Sequence, residues 1–184
     1  MRSFYQQIYH DLRLARELIW SAILLFVAGI GVGLLVPAVS QPILQQFQEI
    51  VSGLLGRSAA ELVVAIFFRN AVAAAIALLA GVAFGLLPAA AAVTNGLLFG
   101  AVIAIAPGEV WKVLPHGIFE LPAMFITWGL GLWIGLWFSG PGRLARLQQR
   151  LTIGLRLYLG LILPLLGVAA LIEGALAVLL WWQL

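Results

Sequence analysis

The sequence contains no cysteine, which excludes disulfides, thiolate catalysis and cysteine-ligated zinc or iron–sulfur centres and leaves the redox compartment open. Charge is scarce too. Asp, Glu, Lys and Arg make up 9% of the chain, against about a quarter in a soluble domain. That shortage excludes an ordinary cytoplasmic enzyme, a disordered chain and a nucleic-acid-binding module. What is present is apolar: 64% of 184 residues are hydrophobic and the mean hydropathy is +1.11. The composition predicts an all-α, polytopic membrane helix bundle, a single integral membrane domain over 1–184 whose first partner is the lipid bilayer. The net charge of +3 and the pI near 10.0 do not call for nucleic acid. The few Lys and Arg cluster in short segments, as an orientation signal does.

A spanning helix needs about twenty mostly apolar residues, and five stretches qualify, over about 18–36, 61–87, 89–106, 116–138 and 157–182. Pro37, Pro88, Pro107 and the Ser139-Gly140-Pro141-Gly142 run mark the breaks, and Pro164 inside the fifth span predicts a kink. The mixed residues ahead of the first span are unlike the short basic start of a cleavable signal peptide. With the N-terminus cytoplasmic, the inner side collects Arg2, Arg13, Arg16, Arg143, Arg146, Arg150 and Arg156, and the outer side holds Arg57 and Lys112. That distribution predicts a multi-pass cell-membrane protein with its N-terminus inside.

Three further segments are amphipathic, over about 3–16, 41–55 and 142–155. In the second, Ser40 and Pro42 open a helix whose apolar positions Ile43, Leu44, Phe47, Ile50, Val51 and Leu54 oppose Gln45, Gln46, Gln48, Glu49 and Ser52. Its polar face lacks Lys and Arg, so burial of the apolar face must hold it at the membrane surface. Phe4, Ile8 and Leu12 form a stripe in the first, and Leu144, Leu147, Leu151 and Leu155 form one in the third. Arg143, Arg146 and Arg150 on the other face of the third suit an anionic inner leaflet.

Glycine pairs one turn apart recur in four of the spans: Gly29 and Gly33, Gly81 and Gly85, Gly96 and Gly100, Gly131 and Gly135. Small residues at this spacing let helix backbones approach closely in lipid. They predict a tight bundle and leave any homodimer seam unassigned.

An ionisable group in hydrocarbon costs at least about 2.5 to 3.5 kcal/mol on insertion scales, so each one inside a span is a functional candidate. The candidates are Arg69 and Asn70 in the second span, Glu120 in the fourth and Glu173 in the fifth, extended by Asn95 in the third and His116 at the mouth of the fourth. Counted along the helices, Arg69, Glu120 and Glu173 fall roughly 7 to 13 Å below the outer surface and can form one cluster. One Arg cannot pair fully with two carboxylates. The remaining Glu would be protonated, take a second partner or face water. His116 and Glu120 lie one turn apart on one face, and with Glu173 they make a conceivable three-ligand site for zinc or another divalent cation. The second His of the zinc-protease helix signature is missing.

The run Leu114-Pro115-His116-Gly117-Ile118-Phe119-Glu120-Leu121-Pro122-Ala123 is explained by neither hydrophobicity nor periodicity. It resembles the Pro-His-Gly-Ile-Phe-Glu-Leu-Pro signature of the stage II sporulation protein M family of integral membrane proteins. Phe68-Arg69-Asn70 is similar to that family's Phe-x-Asn element, Asn95-Gly96 with Gly100 to its Asn-Gly-x-x-x-Gly element, and Ala170-Leu171-Ile172-Glu173 to its last acidic element. Arg69 stands where the family pattern has a neutral residue. The resemblance implies a non-enzymatic membrane scaffold for envelope machinery. Its best-understood members act in endospore formers beside extracytoplasmic cell-wall hydrolases, in septal peptidoglycan remodelling. Two other readings compete: a transporter or permease-like protein binding a proton, cation or lipid headgroup at Glu120 and Glu173, and a metal-dependent intramembrane hydrolase using His116, Glu120 and Glu173.

Overall fold

The computed structural model describes residues 4–42, 45, 58–105 and 107–181, and leaves the side chains of 37, 40, 109–116 and 177–181 outside that description. Among the described residues the secondary structure is helical, without strands. Five helices are long and apolar enough to cross a membrane. The elements are α1 (Phe4–Leu35), α2 (Ala59–Leu79), α3 (Leu86–Ile105), α4 (Val110–Gly135), α5 (Arg143–Leu157) and α6 (Leu163–Trp181). The helix expected over 41–55 falls almost wholly outside the described residues.

Several boundaries differ from those read in the sequence. The segments 3–16 and 18–36 belong to one helix, α1, of 32 residues. Ala15, Arg16, Glu17 and Leu18 at the expected join are all good helix formers, so nothing interrupts it. At 1.5 Å per residue α1 is about 48 Å long, well beyond the roughly 30 Å of a hydrocarbon core. Likewise α5 runs without a break into α6 through a π-helical turn, Tyr158–Ile162. That turn is the local response to Pro164, which has no N–H to offer the Gly160 carbonyl and whose ring would crowd it. The Tyr158 hydroxyl ties the turn to α2 by donating to the Ala71 carbonyl at 2.8 Å.

The second and third spans divide at Ala83–Gly85 rather than at Pro88. Phe84 (φ 57°) and Gly85 (φ 72°) take the left-handed conformation there, and Pro88 sits inside the first turn of α3, where a missing N–H is harmless. Phe84 is held in that costly conformation by its ring packing against Phe138 at 5.3 Å. The Trp137 indole N–H also bonds the Val82 carbonyl at 2.9 Å. At the other end, α2 starts with a complete capping box. The Ser58 Oγ accepts from the Glu61 N–H, and the Glu61 carboxylate accepts from the Ser58 N–H at 2.8 Å.

The helices join in two parallel pairs. A Cβ added to Gly96 would meet the Phe26 carbonyl and one on Gly100 the Ile30 carbonyl, while Gly29 and Gly33 face the backbone of Val93 to Ala101. This seam joins α1 to α3. The second joins α2 to α4: Gly81 abuts Gly131, whose Cα lies 2.8 Å from the Gly81 Cβ position, and Gly85 abuts Gly135. All four glycine pairs therefore meet backbone of their own chain. Helix α4 is the hub, touching every other helix, with Thr127, Trp128, Leu130 and Ile134 fully enclosed. One face of it packs on Ala22, Phe26, Ala77 and Ala92, with Trp128 stacked on Phe26 at 6.1 Å. The other packs on the main core of Ile8, Ala15, Leu78, Ile153, Leu157 and Leu166.

Candidate functional site

The polar residues inside the bundle fall on α2, α4 and α6, and the parallel seam decides which of them meet. Gly81 faces Gly131 at a separation of fifty positions, and the same register carries Asn70 to Glu120. The Asn70 Nδ2 donates to the Glu120 Oε1 at 3.1 Å, half-buried between α2 and α4. Because α4 begins at Val110 rather than near His116, Glu120 lies about ten residues, or about 15 Å, inside its helix. Asn70 lies at a similar distance from the start of α2. The pair sits near the middle of both helices, deeper than counting from His116 gave.

Glu173 is placed differently. Its neighbour Gly174 packs on Val63 and on the Ala59 carbonyl, about six residues and about 9 Å up α2 from Arg69. Glu173 is half-buried and Arg69 exposed on the outside of the bundle. The two charges lie within electrostatic reach, but among the described residues they close no direct ion pair. Among the described residues, Asn70 is bonded to Glu120 on α4, and its neighbour Arg69 lies within electrostatic reach of Glu173 on α6. Consecutive residues are rotated by about 100° around a helix, so the two side chains leave α2 in different directions.

Asn95 stands apart. Its Nδ2 donates to the Ala91 carbonyl one turn back in α3, at 2.8 Å, and its side chain is exposed. It neither caps a broken helix nor reaches across a helix contact. His116 lies on α4 one turn before Glu120, but its side chain is outside the described residues. Among the described residues no three His, Asp or Glu side chains gather as metal ligands.

Replacing Asn70 with alanine is expected to cost about 0.5 to 1.5 kcal/mol, the net contribution of one hydrogen bond. Detergent unfolding of Asn70→Ala, Glu120→Gln and the double variant checks this. Additive losses would mean that the bond does not join the helices.

The sequence reading missed a second polar pair. Asp11 on α1 is 3% exposed, and its Oδ2 accepts from the Arg156 guanidinium at 2.8 Å, joining α1 to the end of α5. His10 Nδ1 lies 3.5 Å from the other carboxylate oxygen. The signal was present: Asp11 lies one turn after Ile8 and one turn before Ala15, on the face that those residues bury. Arg150 also turns inward. Its guanidinium stacks 4.7 Å over the Trp133 ring and donates to the Trp133 carbonyl.

No curated protein and no solved structure matches the chain significantly. The sequence model of one family, described as stage II sporulation protein M, matches residues 22–177. That stretch takes in α2 to α5, both glycine seams and every intramembrane polar residue discussed above, and leaves out Asp11. With most of its length matched, this membrane helix bundle belongs to the stage II sporulation protein M family.

Proposed function

We propose that the chain is a multi-pass cell-membrane scaffold for envelope or peptidoglycan-remodelling machinery, with its N-terminus cytoplasmic and an extracytoplasmic cell-wall hydrolase as partner. The observation that carries this reading is the pair of glycine seams. Alternating access requires one group of helices to rock against another. Here α1 rests on α3 and α2 on α4 with backbone against backbone, so sliding either pair drives carbonyls into Cα atoms. Each pair locked in this way moves as a unit, and α4 packs against every other helix, an arrangement that suits a fixed platform. Asn70–Glu120 then serves as a polar cross-link within the platform, and a homodimer would use some face other than the glycine pairs.

The transporter reading draws on Glu173, whose carboxylate lies near Arg69 without bonding it. One pair of measurements separates the two. Liposomes containing the purified chain are expected to pass no more protons or cations than empty vesicles. The tagged chain, drawn from its own membranes, is expected to bring down peptidoglycan-cleaving activity. A flux abolished by Glu173→Gln or Glu120→Gln, with no hydrolase captured, overturns the scaffold and supports transport.

A further inference from the structure

Beyond the bundle's middle, the antiparallel contact between the first third of α1 and α5 leaves a groove of about 690 Å³. Phe4 and Ile8 meet Gly160, and Asp11 meets Arg156, so the two helices run in opposite directions along it. Asp11 and Arg156 make its floor, and Gln7, His10, Gln148 and Gln149 stand along its edges. The α1 wall precedes residue 22 and so lies outside the stretch that matches the family.

We propose that this groove binds the phosphate of an anionic phospholipid headgroup. The floor carboxylate is already matched by Arg156, whose guanidinium is bonded to Asp11 through one nitrogen and has further N–H groups to offer. The three glutamine amides add neutral donors, and His10 adds an imidazole. Such a donor set suits the several acceptor oxygens of a phosphate. The surroundings carry a net positive charge: Arg13 and Arg16 outnumber Glu17 among the exposed charged residues of this stretch of α1, and Arg143 is exposed on α5.

Position selects a lipid over a soluble phosphate. Tyr5 and Tyr9 on the same stretch of α1 are 81% and 62% exposed. Aromatic side chains of this kind sit at headgroup level. In the orientation proposed above, this end of the bundle meets the inner leaflet, where anionic lipids concentrate.

The test compares thermal unfolding of the full chain in nanodiscs of phosphatidylcholine alone and of phosphatidylcholine with a minority of phosphatidylglycerol. The anionic lipid is expected to raise the midpoint by about 2 to 4 °C. The double variant Gln148→Glu/Gln149→Glu puts negative charge at the groove edge on exposed helix positions that tolerate Glu as well as Gln. It leaves Asp11 and Arg156 in place and is expected to lose the rise. Arg143→Gln, outside the groove, is expected to keep it.

No rise in the parent chain, an equal rise in the groove variant, or an equal loss in Arg143→Gln overturns the proposal. So does the same rise from glycerol phosphate added to phosphatidylcholine discs, which would assign the groove to a soluble phosphate. The readout is lipid-dependent stability and not partner capture, so its failure leaves the scaffold reading standing.

Discussion

Adding a single methyl group at Gly96 is expected to lower the stability of the bundle sharply. A Cβ at that position falls against the Phe26 carbonyl and 3.0 Å from the Gly29 Cα. Both obstacles are backbone, so no rotamer change relieves them, and α1 must move away from α3. Overpacking of this kind costs about 1 to 3 kcal/mol, and more when the backbone has to shift. The move also opens the packing of Ala22, Phe26, Ala92 and Trp128 that the seam holds together. A loss of about 3 kcal/mol or more is a large share of the roughly 5 to 15 kcal/mol by which proteins are stable.

The control lies on the facing helix, α1. A Cβ at Gly31 meets nothing within 4 Å, so Gly31→Ala is expected to be neutral or stabilising by up to about 1 kcal/mol, the helix-propensity difference. Thermal unfolding of the two variants in one detergent compares them directly. Equal effects would mean that contact between α1 and α3 does not govern stability.

Arg156→Ala is the second large effect. Asp11 keeps 5% of its side-chain surface exposed, and removing Arg156 leaves that carboxylate buried without its partner, a change that costs about 3 to 5 kcal/mol in comparable pairs. The pair itself need not be strongly stabilising. Removing both charges, as in Asp11→Asn/Arg156→Ala, is expected to recover most of the loss, because the unmatched charge goes with its partner. Arg156→Lys is expected to fall between, since an ammonium supplies the charge but not the planar guanidinium. Denaturant titration of the four proteins gives the coupling. A double variant as unstable as Arg156→Ala alone would remove the unmatched carboxylate as the cause.

Much of this architecture was legible in the sequence, for reasons that can be named. Spanning helices are announced by length and hydropathy, so five of them could be counted without coordinates. The glycine pairs announced close approach, because small residues at one-turn spacing have few other uses in lipid. Their pairing was not legible. Nothing in Gly29-x-x-x-Gly33 says that Gly96 and Gly100, rather than Gly131 and Gly135, will lie opposite, since each seam presents the same chemistry.

The polar residues show the same limit. Arg69, Asn70, Glu120 and Glu173 stood out because hydrocarbon makes them costly, but which helix each one meets depends on rotation about α2 and on where α4 begins. That start lies one to two turns before His116, since Pro115 does not end the helix. Asp11 was hidden for another reason. It lies in the polar first third of α1, where a carboxylate draws no notice until Ile8 and Ala15 are seen to be buried on either side of it.

The interleaving of the two seams constrains how the protein is made. Helices leave the ribosome in order, yet among the described residues α1 and α2 scarcely touch; α1 waits for α3, and α2 waits for α4. Asn70 enters the bilayer before the helix bearing Glu120 has been synthesised, and each seam closes one helix later than a simple hairpin would. For an interval during biogenesis the newborn α2 carries Arg69 and Asn70 in lipid without the neighbours that later accommodate them. Insertion machinery, rather than the finished fold, must tolerate them in that interval.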